Sequence, residues 1–292
     1  MKKSLTNSQN PEVSIVIASY NTREVTLKCL RAIASDASLP VTEIIVIDNA
    51  SKDGPAEAIK NEFPKVIFIQ NTTNRGLAAA DNQGLEKAKG KYLVLLNSDA
   101  FVQMGSIRKL ANFLTENKDT GVVVPRLLNQ DGSVQPSCFP EIGVISTFKA
   151  YWLGQRNLVE KYYPRSNSPS AIKAAVSATM MIRRNLIIEL GGMDEQFFLY
   201  FDDLDLCRRV RQKGKKIFYL PSASVTHLHG TSGKSNPDFG YLRETILYPL
   251  KKLLSLWHPT ISQEYFFEGS IRYFGWWRHL IITLIIKYPA KL

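Results

Sequence analysis

The sequence predicts an α/β domain: a mostly parallel, Rossmann-like sheet with helices on both faces. Three observations predict it. Short β-branched runs alternate with stretches of helical periodicity through the first hundred residues. The strand-like runs are almost continuously apolar, as strands buried on both faces must be. Each run ends in a cluster of Ser, Asn or Asp, and a parallel sheet collects its ligands at the carboxyl ends of its strands.

The elements follow in order. Residues 13–18 (VSIVIA) form the first predicted strand. Asn21 or Thr22 can cap a helix whose inner side carries Val25, Leu27, Leu30 and Ile33. Residues 43–48 (EIIVID) make a second strand, and the turn-rich NASKDG leads to a helix over 56–62. A third strand is expected at 65–70, a helix at 77–88 and a fourth strand at 92–97. Beyond it, 105–117 reads as a helix and 121–125 as a strand, whereas 126–172 mixes Gly, Pro, Ser and aromatics without periodicity. Residues 174–183 suggest a strand, 185–190 a short helix, 204–213 a helix and 216–220 a strand. Turn chemistry alone favours Asn, Asp and Ser after a strand. Four such clusters at successive strand ends (Ser19-Tyr20-Asn21, Asp48-Asn49, 71–74 and Asn97-Ser98-Asp99) would share one crevice, which favours a binding site.

Composition sets bounds on function. A chain of 292 residues with 45% hydrophobic and 22% charged residues can bury a sizeable core. The three cysteines (Cys29, Cys138, Cys207) lack metal-ligand spacing, and Cys29 and Cys207 fall on apolar helix faces, as reduced core residues do. The first ten residues have no apolar core of a secretory signal, so a cytoplasmic location is expected. The net charge of +11 is uneven: +1 over residues 1–100, +6 over 101–240 and +4 over 241–292. That basic excess suits phosphates or anionic lipid, while no nucleic-acid recognition motif accompanies it. At the C-terminus, 241–257 has helical periodicity and 272–287 sets Trp276, Trp277 and an apolar run beside Arg272, Arg278 and Lys287. No apolar run approaches the roughly twenty residues of a membrane span. An amphipathic helix on an anionic membrane, a helix packed on the core and a dimer contact all fit this pattern.

The chemistry concentrates in an acidic cluster inside an aromatic run, FFLYFDDLDL at 197–206, and in the strand-like PSASVTHLHG at 221–230. Carboxylates among aromatics are costly to desolvate unless they bind something or move protons. Helix capping accounts for one or two of the three acids. Asp99, in a tight polar turn after a strand, suits a carboxylate that holds a divalent cation against a diphosphate. Mg²⁺ takes oxygen ligands and Mn²⁺ also accepts an imidazole such as His227. Asp203 is then the candidate for taking a proton from an attacking hydroxyl.

VSIVIASYN (13–21), VIDNASKDG (46–54), NRGLAAADNQGLEKAKG (74–90), LLNSD (95–99), GGMDEQFFLYFDDLDLCR (191–208) and PSASVTHLHGTS (221–232) together resemble family 2 glycosyltransferases of the GT-A fold, and most resemble their rhamnosyltransferase-like branch. Each motif alone is weak; six in order are specific. The resemblance implies transfer of a deoxysugar from a dTDP- or UDP-sugar to a cell-surface polysaccharide precursor. It implies that Ala18, Ser19 and Tyr20 line the nucleoside pocket and that Asp48 binds the pyrimidine or ribose. Gly76 and Asn82 would shape the diphosphate and sugar pocket. Asn97-Ser98-Asp99 stands at the family's Asp-x-Asp motif, with Asp99 ligating Mg²⁺ or Mn²⁺ and His227 completing the metal site, His229 being the alternative ligand. Asp203 matches the base and Asp202 the acid beside it that positions the acceptor, leaving Asp205 as a helix-turn residue. Three departures stand out: Asn97 replaces the first acid, Asp81 stands where many members have arginine, and Ser177 occupies a position usually glycine.

The expected organisation is a disordered tail at 1–11 and a catalytic domain at 12–238, whose nucleotide-sugar half is 12–100 and acceptor half 101–238. A helical segment at 239–292 would meet membrane or a second subunit. The acceptor expected is a glycan on a polyprenyl diphosphate. A nucleotidyltransferase would need a Gly-rich basic loop, which Ser19-Tyr20-Asn21-Thr22 is not. A catalytically silent module acting as an assembly partner is the remaining rival.

Overall fold

The computed structural model of the chain describes residues 10–142, 158–199 and 201–228, together with Ser146, Lys149 and Gln155. Residue 200, His229 and the amphipathic stretches expected at 241–257 and 272–287 lie outside the described residues. Among the described residues no helix is long and apolar enough to cross a membrane.

Residues 10–97 fold as their pattern predicts. Strands β1 (Val13–Ser19), β2 (Thr42–Asp48), β3 (Ile67–Gln70) and β4 (Tyr92–Asn97) are parallel in the order β3-β2-β1-β4. Helices α1 (Arg23–Ala34), α2 (Pro55–Glu62) and α3 (Leu77–Lys87) connect them. The register places Ala18 beside both Ile47 and Asn97, and Ser19 beside Asp48, so the polar clusters do meet along one edge.

The rest of the sheet is mixed rather than parallel. After β5 (Ala100–Val102), α4 (Ser106–Glu116) and β6 (Thr120–Leu128), the chain makes the short β7 (Cys138–Phe139), β8 (Ser170–Ile172) and β9 (Ala174–Ala175). The strand expected over 174–183 is broken: residues 176–178 interrupt it, and β10 (Thr179–Arg183) runs antiparallel to β4 and β6. Helices α5 (Arg184–Glu189) and α6 (Asp202–Gln212) precede β11 (Lys216–His227), which is parallel to β6 and antiparallel to β5. The two strand-like stretches at 216–220 and 221–227 are therefore one strand. Its register shifts between Leu220 and Ser224, a bulge that accommodates Pro221.

Alternation along the strands sorts the core into two layers. Ile15 and Ile17 of β1 pack with Leu27, Leu30 and Leu110 under α1 and α4. Val16 packs instead with Ala78, Ala80, Met193 and Leu206 on the side of α3 and α6. A Cβ on Gly84 would lie 2.2 Å from Val16 Cγ1, so the helix rides on the strand only because that position has no side chain. The three cysteines are buried and unpaired with one another, as expected of reduced core residues.

Candidate active site

The first polar cluster is anchored from below. Ser19 is 2% exposed, and its hydroxyl lies 3.1 Å from Thr22 Oγ1 and 3.0 Å from Thr26 Oγ1. Strand parity turns Ser19 toward α1, so the side chain joins a buried hydroxyl network while Ala18 and Tyr20 stay half-buried beside it. Thr22 reaches Ser98 Oγ at 3.1 Å and does not cap α1. Capping comes from another loop, where Asp53 Oδ2 accepts the Arg23 N–H at 2.8 Å.

Asp48 is fully buried at the end of β2, accepting from the Ser51 N–H at 3.3 Å and Gln70 Nε2 at 3.2 Å. Its neighbour Asn49 donates to Asn74 Oδ1 and the Gly76 carbonyl and accepts the Arg75 N–H, binding the second and third loops together. Gly76 has φ +86°, and a Cβ there would lie 2.6 Å from the Phe198 carbonyl oxygen. The Leu77 N–H donates to that same oxygen at 2.8 Å. The start of α3 is thereby fastened to the aromatic run before the acidic cluster. Asn82 uses both ends of its amide on another turn: Oδ1 accepts the Met193 N–H at 2.8 Å, and Nδ2 donates to the Met193 carbonyl at 3.0 Å and to Glu195 at 2.9 Å. Asp81, one helical turn before Gly84, is 4% exposed, and burial pushes its carboxyl up to about 8.

Asp202 and Asp203 open α6. The residue before them, Phe201, has φ +66°, a conformation that bulky side chains rarely adopt. Asn21 (φ +52°) and Ala50 (φ +69°), in the loops after β1 and β2, share it. All three strained positions thus flank the predicted pocket, where such strain commonly collects. Asp202 is 2% exposed. Asp203 Oδ1 accepts the Leu204 N–H at 2.8 Å, and the Ser177 N–H adds to the stabilisation of its charged form. Burial raises its carboxyl above the ordinary range, while those N–H groups and the charge of Lys161 oppose the rise. The next residue, Ala178, accepts the Asn97 N–H on its carbonyl at 3.0 Å. Ser177 and Ala178 thus link the acidic cluster to the turn that carries Asp99. Asp205 does other work: its carboxylate holds Arg209 Nε at 2.6 Å, and Arg209 Nη1 donates to the Leu190 and Gly192 carbonyls.

Asp99 and His227 meet across β5 and β11. His227 pairs with Ala100, and its Nε2 lies 3.4 Å from Asp99 Oδ1, both side chains almost fully enclosed. His227 Nδ1 lies 2.8 Å from Gln135 Oε1. Gln135 Nε2 donates to Asn129 Oδ1 at 2.9 Å and toward the His227 carbonyl at 3.4 Å, which identifies Oε1 as the acceptor. Nδ1 is then the donor nitrogen, and a neutral imidazole turns its Nε2 lone pair toward Asp99. A carboxylate oxygen and an imidazole nitrogen so disposed suit a cation of the Mn²⁺ or Mg²⁺ type. Among the described residues no group of three or more His, Cys, Asp or Glu could hold a metal, so Asp99 and His227 supply two ligands there and no third of these types. Gln135 carries no sequence signal, since it lies in the stretch without periodicity.

A family model described as "Glycosyl transferase family 2" matches residues 14–191. The chain belongs to glycosyl transferase family 2. Asp202, Asp203 and His227 lie beyond the matched residues. The N-acetylglucosaminyl-diphospho-decaprenol L-rhamnosyltransferase of Mycobacterium tuberculosis is 24% identical over 283 residues, 90% of this chain and 86% of that protein. The poly(ribitol-phosphate) beta-glucosyltransferase of Bacillus spizizenii is 27% identical over 178 residues, 56% of this chain and 28% of that one. Among solved structures, GalNAc-T7 with UDP, GalNAc and Mn²⁺ superposes with a TM-score of 0.59 at 19% identity, over 78% of this chain. The mannosyltransferase PcManGT from Pyrobaculum calidifontis, in complex with GDP-Man and Mn²⁺, gives 0.55 at 19% identity, over 77%. This chain spans 46% and 59% of those two chains. The fold is the GT-A fold of this glycosyltransferase family, and the family resemblance read from the six motifs is correct.

Proposed function

We propose that this family 2 chain is an inverting glycosyltransferase that moves rhamnose or a related deoxysugar from a dTDP- or UDP-sugar to a hydroxyl of a polysaccharide precursor carried on a polyprenyl diphosphate. The observation that carries the reading is the linkage of Asp203, through Ser177 and Ala178, to the Asn97–Asp99 turn. It connects the proposed proton acceptor to the turn that carries the carboxylate of the Asp99–His227 pair, a pair suited to a cation. The rhamnosyltransferase relative named above, which matches most of the chain, supports the transferred sugar and the acceptor class.

In this reading the nucleoside lies over the ends of β1 and β2, near Ala18, Tyr20 and Asp48. Asp99 and His227 would hold a divalent cation, which when bound neutralises the charge that grows on the departing nucleoside diphosphate. Asp203 takes the proton from the acceptor hydroxyl as its oxygen attacks the anomeric carbon from the face opposite the leaving group, and Asp202 positions that hydroxyl. The raised carboxyl of Asp203 makes it a stronger base than an ordinary aspartate.

The test begins by ranking nucleotide-sugars by thermal stabilisation, with and without Mn²⁺, and continues with Asp203→Asn. That variant should lose transfer while binding the same donor normally. Substantial turnover by Asp203→Asn would refute the assignment of the base. Asn97, neutral where the family has an acid, favours a second reading as a silent assembly partner. Hydrolysis of a nucleotide-sugar by the purified chain would exclude that alternative.

A further inference from the structure

We infer that Gln135 is the positioning residue of the metal site: it fixes His227 as the Nδ1–H tautomer and so presents Nε2 as a ligand beside Asp99. The inference rests on the metal reading proposed above and deepens it.

Gln135 is 6% exposed, and an amide so deeply buried must have its hydrogen bonds met. Its three side-chain contacts leave one consistent arrangement. Oε1 stands 2.8 Å from His227 Nδ1, and Nε2 serves Asn129 Oδ1 at 2.9 Å and the His227 carbonyl at 3.4 Å. Asn129 cannot readily invert that choice, because its own Nδ2 donates to Ser133 Oγ at 2.9 Å. The backbone around Gln135 is equally determined. Its N–H donates to the Leu127 carbonyl at 2.9 Å, Leu128 bridges Val134, and the Asn129 N–H donates to the Ser133 carbonyl at 2.8 Å. Asp131 closes the turn by accepting the Ser133 N–H and hydroxyl. A tight turn after β6 thus returns one amide to the end of β11, where His227 stands.

A neutral imidazole has one donor and one acceptor nitrogen, and whichever nitrogen is held by an acceptor must be the donor. Gln135 therefore assigns the lone pair to Nε2, the nitrogen 3.4 Å from Asp99 Oδ1. Without it the ring can place its proton on Nε2, where it would donate to Asp99 and obstruct a cation. Outer partners of this kind typically change metal affinity by roughly 10- to 100-fold.

The experiment uses the full chain, Gln135→Leu and Gln135→Glu. Long-range ¹H–¹⁵N NMR of the histidine rings reads the tautomer with no metal present. Mn²⁺ titration followed by EPR, alone and with UDP, reads affinity, and thermal unfolding checks that each variant is folded. The unaltered chain should show His227 with its proton on Nδ1. Gln135→Leu should move the proton to Nε2 and weaken Mn²⁺ binding about 10-fold or more. Gln135→Glu, which keeps an acceptor toward Nδ1 but gives up the donor to Asn129 Oδ1 and the His227 carbonyl, should retain the proton on Nδ1 and unfold at a lower temperature than the unaltered chain. An Nε2–H tautomer in the unaltered chain, or unchanged Mn²⁺ affinity in folded Gln135→Leu, would overturn the inference. If the unaltered chain has the Nδ1–H tautomer yet binds no Mn²⁺ even with UDP, the metal reading itself fails and the ligand role of Gln135 falls with it.

Discussion

Thr22 Oγ1 lies 3.1 Å from Ser98 Oγ, so the turn after β1 is tied to the turn that carries Asp99. The same hydroxyl lies 3.1 Å from Ser19 Oγ and 3.3 Å from Thr26 Oγ1, and all four residues are buried. Thr22→Val keeps the shape but takes from the buried Ser98 its hydroxyl partner, while Ser19 and Thr26 still pair with each other. A buried polar group left unpaired costs about 1–3 kcal/mol. Urea unfolding should show a loss of that size, with Thr22→Ser within about 1 kcal/mol of the unaltered chain. Turnover should fall in Thr22→Val as the Ser98–Asp99 turn loosens. A neutral Thr22→Val would mean the network does not hold that turn.

Asp203 and Lys161 predict a pH profile. Burial raises the Asp203 carboxyl, so the acid limb of kcat/KM should fall at a pH above that of an ordinary aspartate. Lys161 favours the charged carboxylate and opposes the rise. Its ammonium also lies 5.3 Å from the Phe139 ring centroid. Lys161→Met removes the cation, so Asp203 should hold its proton to higher pH and the acid limb should move upward. A limb that stays in place in Lys161→Met would show that the lysine does not act on the base.

Much of this was legible in the residues, and the rest was withheld for identifiable reasons. Strands β1, β2 and β4 announce themselves because strands buried on both faces must be apolar throughout. Asp99 was recognisable by its polar turn after such a strand. The side-chain direction of Ser19 was not: it depends on which neighbour, α1 or the crevice, claims the odd face of β1. Thr22 looked like a helix cap, but a long-range hydroxyl partner took its oxygen, and Asp53 from another loop replaced it. The antiparallel insertion of β10 between β4 and β6 is a pairing over many residues that local pattern does not encode. Gln135 was invisible, since a short turn rather than a periodic element delivers it.

Asp81 predicts a stability that depends on pH. Its carboxyl titrates at about 8 in the folded chain, far above the unfolded value of about 3.9. Between those values the folded state holds a proton that the unfolded state has released. Stability is therefore fullest below about pH 4 and declines as pH rises toward 8, by up to about 1.4 kcal/mol per unit from this group. Asp81→Asn removes the ionisation. It should resemble the unaltered chain near pH 4 and be clearly more stable at pH 8, as chemical unfolding at both pH values would show. Parallel stability curves for the two proteins would mean the carboxyl is better solvated than its burial implies.

Two glycines separate backbone strain from the contact that supports the acidic cluster. Gly76 (φ +86°, ψ 169°) and Gly191 (φ +77°) both lie at positive φ, so alanine at either should cost about 1–3 kcal/mol in backbone strain. They differ in what the new methyl meets. At Gly191 nothing lies within 4 Å, whereas at Gly76 it would stand 2.6 Å from the Phe198 carbonyl oxygen and 2.9 Å from that ring. Gly76→Ala must also push away the carbonyl that accepts the Leu77 N–H, three residues before the strained Phe201 and the acids of α6. Both variants should unfold at lower urea, with Gly76→Ala the less stable. Only Gly76→Ala should lose turnover, by an order of magnitude or more if Asp203 shifts by about 1 Å. Equal turnover in the two folded variants would show that the Gly76–Phe198 contact supports the fold and not the base.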